Sequence, residues 1–569
     1  MVSAPRSVRA CERMPVPSPS RTRERVRVRV KPPAGILALG KRSQPLRFTF
    51  LPGVLALALL VTILGQAQSA GAQDPPPFAP GRILVKLRPG AAVRAVSAGT
   101  AIPRVGVLSV PVAEGQELET IRNLAAEPGV EYAEPNYLVI ASRTPSDPLY
   151  SFYQWNLRII QAEAAWDIET GKSNTTIAFL DTGVDLAHPD LAAKVLPGLN
   201  LLNPEASPQD DNGHGSHVAG IAAAAANDAT GIAGVSWGAR ILPVKVLDSF
   251  GRGTVEDLAR GLIWAADNGA DVINISGGTE GLSQTLQDAV DYANDTKGTL
   301  IVASVGNDGG FGGLNPPIYP AAFPSVVGVA ATDSENRRAE FSERGTFVDV
   351  AAPGVLVLSS ILRGRGDAVF GNNYAYASGT SMSAPHVAGL AALVRSANPA
   401  LTNRQVSLLI ENTAVDLGPP GKDELFGFGR IDAHAAVKAA TTGIMAASPA
   451  EAAVLSDLAL RENVTKSIAL ANRGGVALDW TAAISPTVPW LAISPTSGRL
   501  EAVGPPQALG LAARPQAIVA TGTYTTSVIV TGSPNVQNSP LVIPVNLQVV
   551  DRLERDYFPL VLHGQISAW

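Results

Sequence analysis

The sequence predicts an α/β domain on a doubly wound, mainly parallel sheet, with a small α+β unit before it and an all-β sandwich after it. Three observations predict this. Between residue 155 and about residue 437, short apolar runs alternate with stretches of helical length, the pattern of strands joined by crossover helices. Beyond about residue 447 the helical stretches stop, and apolar–polar alternation broken by Pro and Gly turns takes over. A chain of 569 residues also exceeds one typical domain, and 46% hydrophobic with 16% charged residues suits large cores rather than disorder.

Taken in order, the chain opens on a basic arm, then an apolar run over 51–64, then Ala-Gln-Ser-Ala-Gly-Ala-Gln. Residues 1–73 thus have the form of a secretory signal with a long basic n-region, cleaved near Ala70-Gly71-Ala72. The competing reading is an uncleaved membrane anchor, since the run counted from Phe48 is borderline for a span. Residues 78–142 form the small α+β unit, with strands at 81–90 and 130–139 and a helix at 118–126. A linker is expected at 143–153. The central domain, 144–440, has strand candidates at 176–180, 240–246, 271–275, 300–303 and 326–330. Its helix candidates are 214–226, 254–268, 282–295 and 383–396. Residues 447–550 are read as an immunoglobulin-like sandwich, and 551–569 as a C-terminal tail with a short apolar stretch at 557–562.

The formal charge of −5 hides an asymmetry. Residues 1–50 carry twelve Arg or Lys against Glu12 and Glu24, a local +10 that leaves the remainder at −15. An acidic body argues against nucleic acid as the partner. The single cysteine, Cys11, lies in the leader, which excludes disulfides, a cysteine nucleophile and thiolate metal sites further on.

Four side chains stand where chemistry is possible. Ser378-Gly379-Thr380 is a small-residue turn that delivers Ser381 to a helix start, with Pro385 read in the first turn. A serine there has its hydroxyl at the positive end of the helix dipole, beside free backbone N–H groups. By itself it reads equally as a helix cap. Asp181 ends the strand candidate 176–180, but its Asp-Thr-Gly also occurs in aspartic proteases and ordinary turns. His214, in Asn212-Gly-His-Gly-Ser-His217, precedes a small-residue helix and can take a hydroxyl proton near neutrality. His217, one turn on, reads as structural, and a zinc pair lacks the glutamate of His-Glu-x-x-His. Asn307 follows the strand candidate 300–303, where its amide can face a developing oxyanion.

Asp181, His214 and Ser381, in that order and in these motifs, resemble the subtilisin-like serine proteases, closest to the thermitase branch. The resemblance covers about 144–440, and residues 78–142 resemble the family's propeptide, which chaperones folding and inhibits until the protease cuts it off. It implies Ser381 as nucleophile, His214 as general base, Asp181 as the group orienting the histidine, and Asn307 as oxyanion donor. It also implies an extended substrate held between Phe250-Gly251-Arg252-Gly253 and Ser276-Gly277-Gly278. Two departures bear on specificity. Gly277 stands where the family usually has leucine, which opens the wall. Ile318 stands where a small or polar residue is frequent, which shortens the pocket and favours mid-sized apolar side chains, although Asp308 at the rim would attract basic ones.

The resemblance further gathers Asp147, Asp190 and Asp228, with the carbonyls of Ala225, Thr230 and Ile232, into a structural Ca²⁺ site. Oxygen-only ligation suits that cation, and each aspartate reads otherwise as a solvated carboxylate. Asp210 and Asp211 are read as a weaker second site or a solvated loop. No organic cofactor is expected. The partners implied are protein or peptide substrates and the chain's own propeptide, with the membrane met only in transit and the mature protein a monomer. The expectation is therefore a secreted, self-processing serine endopeptidase, with cell-surface association left open. The alternatives are a membrane-tethered form and a dead scaffold that binds peptides.

Overall fold

A computed structural model describes residues 78–551, apart from 92, 94–95, 97, 126, 138–143, 310–314, 458–462 and 534–535. Residues 1–73, read as a signal, the junction at 138–143 and the stretch 557–562 lie outside the described residues.

The first unit is a four-stranded antiparallel sheet in the order β2-β3-β1-β4. Its strands are β1 (Phe78–Leu87), β2 (Thr100–Ile102), β3 (Val107–Pro111) and β4 (Val130–Tyr137), with helix α1 (Glu117–Ala125) between the last two. β2 and β3 were not anticipated: each is short, and β2 is exposed along its length. The core is small, formed by Ile83, Val85, Val96, Val110, Leu124 and Val130. The expected linker is shorter than predicted, because Tyr150–Tyr153 is already a helical turn and Tyr150 is buried against Trp166.

The central sheet runs β11-β10-β9-β8-β5-β7-β6 with every pairing parallel. Its members are β5 (Thr176–Asp181), β6 (Leu199–Asn200), β7 (Arg240–Lys245), β8 (Val272–Ile275), β9 (Leu300–Ser304), β10 (Val326–Thr332) and β11 (Val350–Pro353). Helices α2 (His214–Ala223) and α5 (Thr380–Ala397) cover one face, and α3 (Val255–Asp267) and α4 (Gln284–Asp291) cover the other. β5 shows why the strands read as unbroken apolar runs. Its alternation sends Ile177 and Phe179 into one core and Ala178 and Leu180 into the other, and both faces are dry. Chain order reverses around β5, so the carboxyl end of β5 is the switch point where an open sheet leaves a crevice.

α5 is buried nearly all round, so no amphipathic stripe marked its ends. It begins at Thr380 rather than 383, which places Ser381 inside the first turn and Pro385 one turn deeper than expected. Small residues let it lie close to α2: a Cβ at Gly389 would stand 2.8 Å from the Ala222 carbonyl oxygen. The other helices differ from expectation at their ends. α2 stops at Ala223, and α4 starts at Gln284 and passes into a π-turn over Tyr292–Thr296. A hairpin of β12 (Val357–Ser360) and β13 (Tyr374–Ala377) runs into α5. Helices α6 (Asn403–Asn412) and α7 (Ala433–Ala440) complete this unit.

The last unit packs a four-stranded sheet (β14-β16-β20-β18) on a five-stranded one (β15-β22-β21-β17-β19). The strands are β14 (Met445–Ser448), β15 (Ala452–Asp457), β16 (Val464–Asn472), β17 (Leu478–Ser485), β18 (Leu491–Ser494), β19 (Ser497–Leu500), β20 (Gln507–Ala513), β21 (Gly522–Gly532) and β22 (Leu541–Val550). Trp480, Trp490 and the inward Val and Leu residues fill the space between the sheets. The sandwich is attached to the central domain through its backbone. Asn398 donates to the carbonyls of Ala440 and Gly475, and Gln405 donates to that of Ala502. Gly475 N–H is bonded to the Ala439 carbonyl.

Candidate active site

Asp181 is the last residue of β5 and is buried, and His214 is the first residue of α2. His214 Nδ1 lies 2.8 Å and 3.0 Å from the two carboxylate oxygens of Asp181. A carboxylate can only accept, so the ring proton is held on Nδ1 and Nε2 is left with its lone pair. Burial pushes the His214 pKa down, but the charge and hydrogen bond of Asp181 more than reverse this, with Asp210 adding to the rise. Gly215 permits the approach, since a Cβ there would sit 2.0 Å from the Gly183 carbonyl oxygen.

Asp210 organises this corner and was not singled out for it from the sequence. It is buried, and its Oδ1 accepts from the Thr182 hydroxyl and the N–H groups of Asn212 and Gly213. Its Oδ2 accepts from the N–H and hydroxyl of Ser216. Thr182 in turn accepts from Gly215 N–H. One carboxylate thus ties the end of β5 to the start of α2, instead of lying in a solvated loop. Asp211 is ion-paired with Lys245 at 2.8 Å, and the same ammonium donates to the Thr182 and Leu247 carbonyls.

Ser381 sits in the first turn of α5. Pro385 has no N–H to bond back to the Ser381 carbonyl, as helix geometry would otherwise require. The Ser276 hydroxyl fills that vacancy at 2.8 Å, and it accepts in turn from Asn274 Nδ2 at 3.0 Å. The Ser381 hydroxyl itself donates to the Ser276 backbone carbonyl at 3.1 Å rather than to His214. Asn307 follows β9, and its side-chain oxygen accepts from the Thr380 N–H at 2.8 Å and the Thr380 hydroxyl at 3.0 Å. With the oxygen fixed, the amide N–H groups face away from Thr380, beside the turn at Gly379 that leads into Ser381.

The other two motif histidines are structural in their bonding. His217 is buried with Nε2 on the Ala375 carbonyl, and burial pushes its pKa down to about 4. His386 donates from Nδ1 to the Met382 carbonyl and accepts on Nε2 from Asn156, and burial likewise takes it to about 4. Both stay neutral at pH 7.

A cleft of about 600 Å³ opens beside His214, walled by 250–255 on one side and 275–279 on the other. Gly251 and Gly253 belong to the first wall, and Ser276, Gly277 and Gly278 to the second. Gly277 faces open space. Ile318 is not part of this cleft: it lies behind Gly278, with Cγ2 2.5 Å from where a Cβ of that glycine would be.

Two of the three aspartates assigned to calcium are buried, and Asp228 is exposed. Asp147 accepts from Asn227 N–H through Oδ2 and leaves a buried Oδ1 without a partner. Asp190 accepts from the Ile232 N–H and the Tyr374 hydroxyl. Burial raises both carboxyls, Asp190 to about 7, and the charge of Asp228 adds to each rise. Among the described residues no backbone N–H is bonded to the carbonyls of Ala225, Thr230 or Ile232. Nor, among them, do three His, Cys, Asp or Glu side chains meet as a ready metal cluster. Free carbonyls, an orphaned carboxylate oxygen and uncompensated negative charge fit a hard divalent cation bound partly through the backbone.

Residues 172–429 match the subtilase family, and residues 65–136 match the fervidolysin N-terminal prodomain. A thermophilic serine proteinase of Bacillus sp. strain AK1 is 42% identical over 371 residues, covering 63% of this chain and 88% of the relative. Thermitase of Thermoactinomyces vulgaris is 45% identical over 296 residues, covering 52% and 99%. A minor extracellular protease of Bacillus subtilis is 38% identical over 328 residues, covering 56% and 48%.

Proposed function

Because the chain belongs to the subtilase family and is a serine-type endopeptidase with an N-terminal prodomain, we propose that Ser381, His214, Asp181 and Asn307 carry its chemistry. The observation that carries this reading is the buried Asp181 carboxylate bonded to half-buried His214, with Ser381 in the first turn of the helix that packs on the one His214 begins. Substrate enters the cleft as an extended strand along Ser276–Gly278, and its N–H takes over the Ser276 carbonyl now occupied by the Ser381 hydroxyl. The released hydroxyl turns to His214 Nε2, which takes its proton as Oγ attacks the scissile carbonyl. The oxyanion meets the Asn307 amide and the Ser381 N–H, and one such donor is worth about 3–4 kcal/mol. His214 then protonates the leaving amine, and water, deprotonated by the same nitrogen, cleaves the acyl-enzyme.

The protein is made as a zymogen, with the prodomain as intramolecular inhibitor that the mature site removes. It acts outside the cell as a monomer, and the extracellular relative supports that location. Among the described residues no helix is long and apolar enough to cross a membrane. Specificity is broad, and Ile318 favours apolar side chains before the scissile bond. Chromogenic peptides that differ only at that residue test the reading: Leu or Phe should be cleaved faster than Arg, and a strong preference for Arg would contradict it.

Asp147, Asp190 and Asp228, with the carbonyls of Ala225, Thr230 and Ile232, would hold Ca²⁺, which when bound cancels their mutual repulsion and closes the 225–232 loop. A chelator should therefore lower the Tm of the mature protein by about 5–10 °C, for an ion present at about a hundred times its Kd. A calorimetric scan with no shift would remove the ion from the account.

A further inference from the structure

Helix geometry directs the Ser381 carbonyl at the N–H of residue 385, which is a proline. The ring removes that donor and crowds the carbonyl four residues before it, tilting it off the helix axis. The turn that carries the nucleophile is therefore short of one of the bonds that would fix it. Ser276, directly after β8, supplies a donor from outside the helix, with its hydroxyl 2.8 Å from the Ser381 carbonyl. Asn274, fully buried within β8, donates from Nδ2 to the same hydroxyl oxygen at 3.0 Å. A hydroxyl has one proton to give, and with Asn274 on its lone pair that proton is aimed at Ser381. On the other side, the Thr380 N–H is held at 2.8 Å by Asn307, from the loop after β9. The backbone around Ser381 is thus pinned from the ends of two neighbouring strands.

We propose that Ser276 is a positioning residue: its hydroxyl, aimed by Asn274, locks the Ser381 backbone in place of the helix bond that Pro385 cannot make. This rests on the protease reading above and says how the nucleophile is kept in register. The two serines are bonded reciprocally, since the Ser381 hydroxyl donates to the Ser276 carbonyl at 3.1 Å. Substrate breaks only one of these two bonds. Its N–H takes the Ser276 carbonyl, while the Ser276 hydroxyl stays on the Ser381 carbonyl. The Ser381 side chain then turns to His214 about a fixed backbone, and the Ser381 N–H keeps its aim at the oxyanion. A shift of about 1 Å at this point would cost up to about 100-fold in rate.

The test is a double-mutant cycle on Ser276→Ala and Pro385→Ala, with the mature enzyme assayed on one peptide substrate. Ser276→Ala should lower kcat by about 10–30-fold, the range set by leaving a buried carbonyl without its donor. KM should stay within about two-fold, because the Ser276 carbonyl that substrate uses is backbone and survives the change. A sulfonyl fluoride should label Ser381 more slowly by the same factor as kcat. The acid limb of the pH profile should stay in place, since Asp181 sets the His214 pKa. Pro385→Ala returns an N–H to the helix, so in that background Ser276→Ala should cost less than about three-fold. Ser276→Thr keeps the hydroxyl and should keep kcat within about three-fold of wild type. An unchanged kcat in Ser276→Ala, a loss carried by KM, or the same loss in both backgrounds would overturn the proposal. Failure of the sulfonyl fluoride to label Ser381 in wild type would instead overturn the protease reading itself.

Discussion

Replacing Ser381 by alanine should lower kcat by about 10⁶-fold, the size of loss that removing the nucleophile causes in subtilisin itself. The loss is near-total because His214 and Asp181 have no role once no hydroxyl is there to activate. Fold should be unaffected. Ser381 is in the first turn of α5, and its hydroxyl makes one bond, to the Ser276 carbonyl. The Ser276-to-Ser381 backbone bond that repairs the gap left by Pro385 survives the change. The variant should therefore melt at the wild-type temperature and accumulate as the uncut zymogen, whereas wild type should lose about 70 residues after the expected signal, about the length of the prodomain. Equal processing of the two would show that another protease does the cutting.

Asp181→Asn should lower kcat by about 10⁴-fold on a peptide substrate without unfolding the protein. An amide in that place can present its N–H₂ to His214 Nδ1, which moves the ring proton to Nε2. That nitrogen then cannot take the proton of Ser381. The pH profile gives a second reading of the same contact. In wild type the His214 pKa is raised because the effect of Asp181 outweighs burial. Without the carboxylate, burial prevails and the pKa falls. His214 must be neutral to act as base, so the acid limb of residual activity should move to lower pH. A loss below about ten-fold, or an acid limb that stays in place, would mean that Asp181 does not set the state of His214.

What the sequence revealed, and what it hid, divides along physical lines. Asp181, His214, Asn307 and Ser381 were legible because each sits at a strand end or helix start within a run of glycines and small residues, a local pattern. The parallel sheet was legible because strands buried on both faces read as unbroken apolar runs. β2, β6 and the β12–β13 hairpin are short, and helix α5 is buried nearly all round, so neither period nor stripe marked their limits. That is why Pro385 was placed a turn too early. Asp210 was hidden for another reason. The value of a carboxylate depends on which donors surround it in space. Asp210 is met by five, from the turn after β5, the 212–213 loop and Ser216 of α2.

The central claim is that Ser381 is the nucleophile activated by His214. Intact-mass and peptide mapping after treatment with a sulfonyl fluoride tests it most directly. The account predicts one adduct per active molecule, located on Ser381, appearing in step with the loss of peptidase activity and slowed in Asp181→Asn. Inactivation with Ser381 unmodified, or full activity with Ser381 modified, would contradict it.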